Sequence, residues 1–177
     1  GILGGFIVSR MTETLSELHG GTKTPALSVA SDALILASRR GRLSKVKRLL
    51  EVPGIDVNLQ DLLDQNKNTA LIEASINGHT EIVKLLLAMP GIDVNLQKKD
   101  GVTALILASY KGYTDIVKEL LAVSDINANL QDDAGYTALI SALMLAEEGH
   151  TEIVKLLLAV PGIDVNLQKK DGVTALI

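Results

Sequence analysis

The apolar positions of this chain come in short runs, two at a time, with a polar stretch between one pair and the next. The first run of a pair opens on a Thr or Asp able to cap a helix, as in Thr103-Ala-Leu-Ile-Leu-Ala-Ser. It stops at a glycine, Gly41, Gly78, Gly112 or Gly149. The second run is typified by Thr80-Glu-Ile-Val-Lys-Leu-Leu-Leu-Ala, with Thr80 placed to cap, Glu81 suited to the helix dipole and Pro90-Gly91 ending it. Both runs predict short helices. The stretch from Asp93 to Gly101 carries turn formers around a polar centre and predicts an extended finger with a tight turn.

This grammar repeats. Pro-Gly-Ile-Asp-Val-Asn-Leu-Gln stands at 53–60, 90–97 and 161–168, with the variant Ser-Asp-Ile-Asn-Ala-Asn-Leu-Gln at 124–131. Thr69, Thr103, Thr137 and Thr174 follow one another at intervals of 34, 34 and 37 residues, so the unit is 34 residues long. Two helices this short cannot bury their apolar faces alone, and neighbouring units must stack into an all-α solenoid. Two places depart from the period. The finger between Gln60 and Thr69 holds three extra residues, which bring in Leu62 and Leu63 and predict a projecting tip that exposes them for contact. Three more fall between Thr137 and Gly149. Three residues turn a helix by roughly 300°, which predicts a helix over 138–148 lengthened by almost a turn.

The unit resembles the ankyrin repeat. Asp100-Gly101-Val102-Thr103-Ala104-Leu105 and the stretch from Gly149-His150-Thr151-Glu152 through Leu158 match that family's pattern almost position by position. Ala70, Ala104, Ala138 and Ala175 replace its proline, and Ile72, Ile106 and Ile140 replace its histidine, so apolar contact is expected where the family makes hydrogen bonds. The resemblance spans Asp32 to Ile177, about four repeats and the start of another. Residues 1–31 are then an N-terminal extension, with a helix expected at Glu13–His19 and a Gly-Thr-Pro loop behind it.

The resemblance implies helix-turn-helix units with projecting β-hairpin fingers, and binding of a partner protein by the finger tips and the concave face of the first helices. On that pattern the finger positions are Gln65, Asn66 and Asn68, then Lys99, Asp100 and Val102, then Asp133, Ala134 and Tyr136. The ends of the first helices supply Arg39 and Arg40, then Ile76 and Asn77, then Tyr110 and Lys111, then Glu147 and Glu148. Tyr110 and Tyr136 fall in adjoining units, and tyrosine is a favoured interface anchor. Charge also runs along the array, from Arg39, Arg40, Arg42, Lys45, Lys47 and Arg48 to Asp132, Asp133, Glu147 and Glu148.

Composition narrows the reading further. With 47% hydrophobic and 21% charged residues the chain is expected to fold. A net charge of -4 lacks the field that draws proteins onto nucleic acid or anionic membranes, and neither is an expected partner. The apolar stretch Ile2–Val8 is far below the roughly 20 residues of a membrane span. Without cysteine there is no disulfide, thiolate nucleophile or sulfur-ligated zinc, which suits a cytoplasmic protein.

Chemistry is equally sparse. His19, His79 and His150 do not converge, Asp132-Asp133 and Glu147-Glu148 are adjacent rather than opposed, and Gly20-Gly21-Thr22-Lys23-Thr24 lacks the spacing of a phosphate loop. No cofactor, metal or catalytic role is expected. The rival to a binding module is a targeting or regulatory fragment of a larger enzyme or a host-directed effector. Residues 150–177 repeat 79–106 with one change, Val160 for Met89. The last copy thus carries stacking instructions with nothing to stack on, and self-association through bared Ile153, Val154, Leu157 and Leu158 is expected.

Overall fold

A computed structural model describes residues 25–61, 65–144 and 150–175 of the chain. Among them are helices α1 (Pro25–Arg39), α2 (Leu43–Leu50), α3 (Ala70–Ile76), α4 (Thr80–Leu87), α5 (Ala104–Lys111), α6 (Thr114–Leu121), α7 (Ala138–Met144) and α8 (Thr151–Leu158). The helix expected at Glu13–His19, the Leu62-Leu63 tip and the extension of α7 through 148 lie outside the described residues.

The first helix of each unit starts where a buried threonine satisfies a free N–H. Thr69 Oγ1 accepts from Ile72 N, Thr103 Oγ1 from Ile106 N and Thr137 Oγ1 from Ile140 N, at 3.2, 3.2 and 3.1 Å. The second helices begin differently. Thr80 is the first residue of α4, the capping position falls on His79, and no side chain caps it. The chain has to reverse between helices within three residues, which carries the capping position to the residue that plugs the turn.

Four units stack through one core. Leu34, Leu71, Leu105 and Leu139 of the first helices and Leu86, Leu120 and Leu157 of the second are almost wholly buried. Ile72, Ile106 and Ile140 are buried too, filling with apolar side chain the place where a histidine was the alternative. First helices pack on one another more extensively than second helices do. Ala37, Ala74, Ala108 and Ala142, all buried, permit that close approach. Ile153 and Leu157, expected to be bared, are wholly buried, because their own unit and the one before it cover them.

Two expectations change. Helix α1 begins at Pro25, whose fixed φ suits a first turn, so the boundary at residue 31 falls inside a helix, while the rest of the Gly-Thr-Pro segment lies outside the described residues. The fingers hold no paired strands among the described residues. The tips are closed by backbone bonds from Asp61 N to Asn68 O at 2.9 Å, Lys98 N to Val102 O at 3.0 Å and Asp132 N to Tyr136 O at 3.0 Å, the last two joined by turn bonds from Gly101 N to Lys98 O at 3.0 Å and from Gly135 N to Asp132 O at 2.9 Å. The chain enters a helix too soon for a ladder to lengthen, and the tips bond sideways instead. Lys99 N donates to Asn66 O, Asp133 N to Asp100 O and Lys170 N to Ala134 O, at 2.9, 2.9 and 3.0 Å.

Candidate partner-binding face

Counting from the capping threonines, seven residues on lie Ile76, Tyr110 and Met144 in α3, α5 and α7, with Arg39 at the matching end of α1. This row edges the face formed by the first helices. Tyr110 is 46% exposed and Met144 56%, and both stand among the few large apolar side chains that the described residues leave open to solvent. Between α5, α7 and the 132–136 tip lies an open cleft of about 300 Å³, lined by Val102, Ile106, Leu107, Tyr110, Asp132, Tyr136, Ser141 and Met144. Tyr110 and Tyr136, from successive units, therefore face one space, the tip holding one and the helix end the other.

The tip is fixed from within. Asp132 Oδ1 accepts from Ala134 N at 2.9 Å and from Tyr136 N at 2.8 Å, which sets the backbone that carries the tyrosine. Lys169 Nζ lies 4.6 Å from the Tyr136 ring centroid, and Lys111 Nζ 5.8 Å from that of Tyr110. Hydrogen bonds to Asp171 first and Tyr136 second hold the Lys169 ammonium above the ordinary lysine range, while that lysine keeps the Asp171 carboxyl below its own. The cleft has an apolar floor and a rim of mixed charge.

At the other end of the face the polar groups are spent on one another. The buried Glu73 carboxylate accepts from Arg39 at 2.9 Å and Asn68 Nδ2 at 2.7 Å, and Arg39 also stands 3.9 Å from Asp61. Asn77 Nδ2 donates to Glu73 O at 2.8 Å. Arg39, Asn68 and Asn77 thus build the joint between the first two units. Arg40, Gln65, Asn66, Lys99, Asp100, Lys111 and Asp133 are exposed along the rim, Ile76 and Val102 are half-buried, and Lys98 pairs with Asp100. Leu62, Leu63, Glu147 and Glu148 lie outside the described residues.

Sequence reasoning passed over Met144, Leu107, Ser141 and the 38% exposed Leu36. Alignment backward from Gly149 put Glu147 and Glu148 at the helix end. Alignment forward from Thr137 puts Met144 opposite Tyr110, because the three extra residues follow it. The histidines take up structural posts, with His79 Nε2 3.3 Å from Arg39 O and His150 against Gly112. Among the described residues no three His, Asp or Glu side chains gather as metal ligands, and no helix is long and apolar enough to cross a membrane.

Stacked helix pairs with repeating joints and a varied inner face define a repeat solenoid of the kind that presents a surface for binding. A family description, Ankyrin repeats (3 copies), matches residues 9–98 and 87–169. The chain belongs to the ankyrin-repeat family, whose members are generally protein-protein interaction modules. A search of curated proteins found no match.

Proposed function

We propose that the concave face holds a partner protein, with the cleft between Tyr110 and Tyr136 as its anchor point. One observation carries the reading: two tyrosines from different units, with an exposed methionine beside them, line a single apolar cleft. Folding normally hides such surface, and central aromatic side chains dominate interface energies. The finger tips flank the cleft with exposed Lys99, Asp100 and Asp133, which suit a polar rim.

The role is binding rather than chemistry. His79 and His150, the histidines of the described units, are each packed against a glycine of the preceding unit, which supports a structural post for both. The test is affinity capture of a partner by the intact chain, followed by calorimetric titration against the wild type and a Tyr110→Ala/Tyr136→Ala double variant. The reading expects a loss of about 30-fold or more, the equivalent of about 2 kcal/mol, with the melting temperature kept. An unchanged affinity removes the tyrosines from the site.

A further inference from the structure

The run from Ala33 to Leu50 holds six basic side chains and no acidic one, in a chain whose net charge is -4. Arg39 is spent on Glu73 and Asp61. That leaves Arg40 directly after α1, Arg42 directly before α2, and Lys45, Lys47 and Arg48 within α2. Lys45 is half-buried and the other four are exposed. None of these five has an ion pair among the described residues.

The four second helices are each eight residues long and compare position by position. At the second position α4, α6 and α8 carry Glu81, Asp115 and Glu152, acids that suit the positive end of a helix, whereas α2 carries Ser44. Glu81 also holds Lys84, with Nζ 3.0 Å from Oε1; Lys47 is the matching lysine and has lost that acid. Where the other units bury Ile82, Ile116 and Ile153, α2 has Lys45, and where His79, Tyr113 and His150 precede the helix, Arg42 does. Two cations thus stand at the helix end that repels them, with no acid in the first turn and no side chain capping it. A solvated surface needs polarity but no single sign, so solvation alone does not account for these exchanges. A bound anion does.

We propose that this basic edge of the first unit is a docking site for a short acidic segment of a partner protein. An eight-residue helix is about 12 Å long, the reach of about four residues of extended chain, so the occupant presents about three or four carboxylates. The surroundings select against a longer polyanion. Glu51, which follows α2, is exposed, as are Glu81 of the neighbouring α4 and Asp115 of α6. A nucleic-acid duplex or an anionic bilayer would lay its phosphates over these acids as well, whereas a short segment stays within the basic edge. The proposal stands apart from the tyrosine cleft and does not depend on it.

The experiment titrates the full isotope-labelled chain with an octaglutamate peptide and follows the backbone amide shifts. The proposal expects shifts centred on residues 40–51 that weaken severalfold when salt is raised from about 50 to about 300 mM. Ser44→Glu restores the acid of the other second helices beside Lys47 and Arg48; it should weaken binding by about ten-fold while the melting temperature holds or rises. Arg42→Gln with Lys45→Gln should act in the same way. The absence of shifts in this stretch at millimolar peptide overturns the proposal, as do shifts of equal size around Lys99, Lys111 and Lys170 or binding that Ser44→Glu leaves unchanged. Tighter binding to phosphatidylserine vesicles or to duplex DNA than to the peptide overturns the choice of a protein segment.

Discussion

His79 of the second unit lies over Gly41 of the first, its Cε1 2.6 Å from the point a Cβ on that glycine would occupy, with φ at +64°. Tyr113 and His150 stand in the same relation to Gly78 and Gly112. The glycine that ends one helix is therefore also the socket for the next unit's ring. Gly91 has a similar φ of +78° but nothing within 4 Å of its would-be Cβ. Gly41→Ala combines backbone strain with a steric clash and should cost about 2–4 kcal/mol, whereas Gly91→Ala should cost about 1 kcal/mol. Urea unfolding of both variants checks the difference, and equal losses contradict the socket.

Ser38, Ser75 and Ser109 hold equivalent positions, all fully buried, and their hydroxyls have no partner among the described residues. An unsatisfied buried hydroxyl costs about 1–3 kcal/mol. Ser75→Ala and Ser109→Ala should therefore leave stability unchanged or raise it by about 1 kcal/mol. Thr103→Ala deletes the bond to Ile106 N and should lower stability by about 1 kcal/mol. Chemical denaturation distinguishes the signs; a loss from both serine variants indicates that the hydroxyls are bonded.

The joint between the first two units depends on a charge pair with one buried member. Glu73→Leu leaves Arg39 beside a leucine and removes an acceptor from Asn68, and should cost about 1–3 kcal/mol. Leucine already stands at the matching Leu36 and Leu107. Adding Arg39→Met to Glu73→Leu should recover much of the loss, since two apolar residues replace the pair. A double variant no more stable than the single one shows that the pair does not account for the joint.

Asn95→Ala breaks two bonds across a joint and should lower stability by about 1–2 kcal/mol. Its counterpart Asn166→Ala has nothing to lose among the described residues. Paired thermal melts check this, and equal effects contradict a role for those two bonds in the joint.

Much of the fold was legible because the repeat prints its own punctuation. Thr69, Thr103 and Thr137 mark helix starts by capping chemistry, and Gly78 and Gly112 mark the stops by a φ that other residues resist. What escaped depends on neighbours. Pro25 opens α1 well before the period begins, and Ser31 of that helix accepts from Asp56 N, a contact that the repeat pattern does not announce. Met144 was hidden by an insertion whose side of the helix the residue count could not decide. Of the candidate face, Tyr110 and Tyr136 were picked by residue type and position and line one cleft, whereas the bonds of Arg39, Asn68 and Asn77 to Glu73 were not legible. Glu73, an acidic residue inside the apolar run Ala70–Ile76, was the available clue to the joint between the first two units.

The most direct measurement is site-specific photo-crosslinking to a captured partner, with a benzophenone side chain placed at Tyr110, at Met144 and, on the second-helix side, at Glu119. A partner held in the concave cleft gives adducts from positions 110 and 144 and none from 119. Adducts from position 119 with none from 110 or 144 contradict the account.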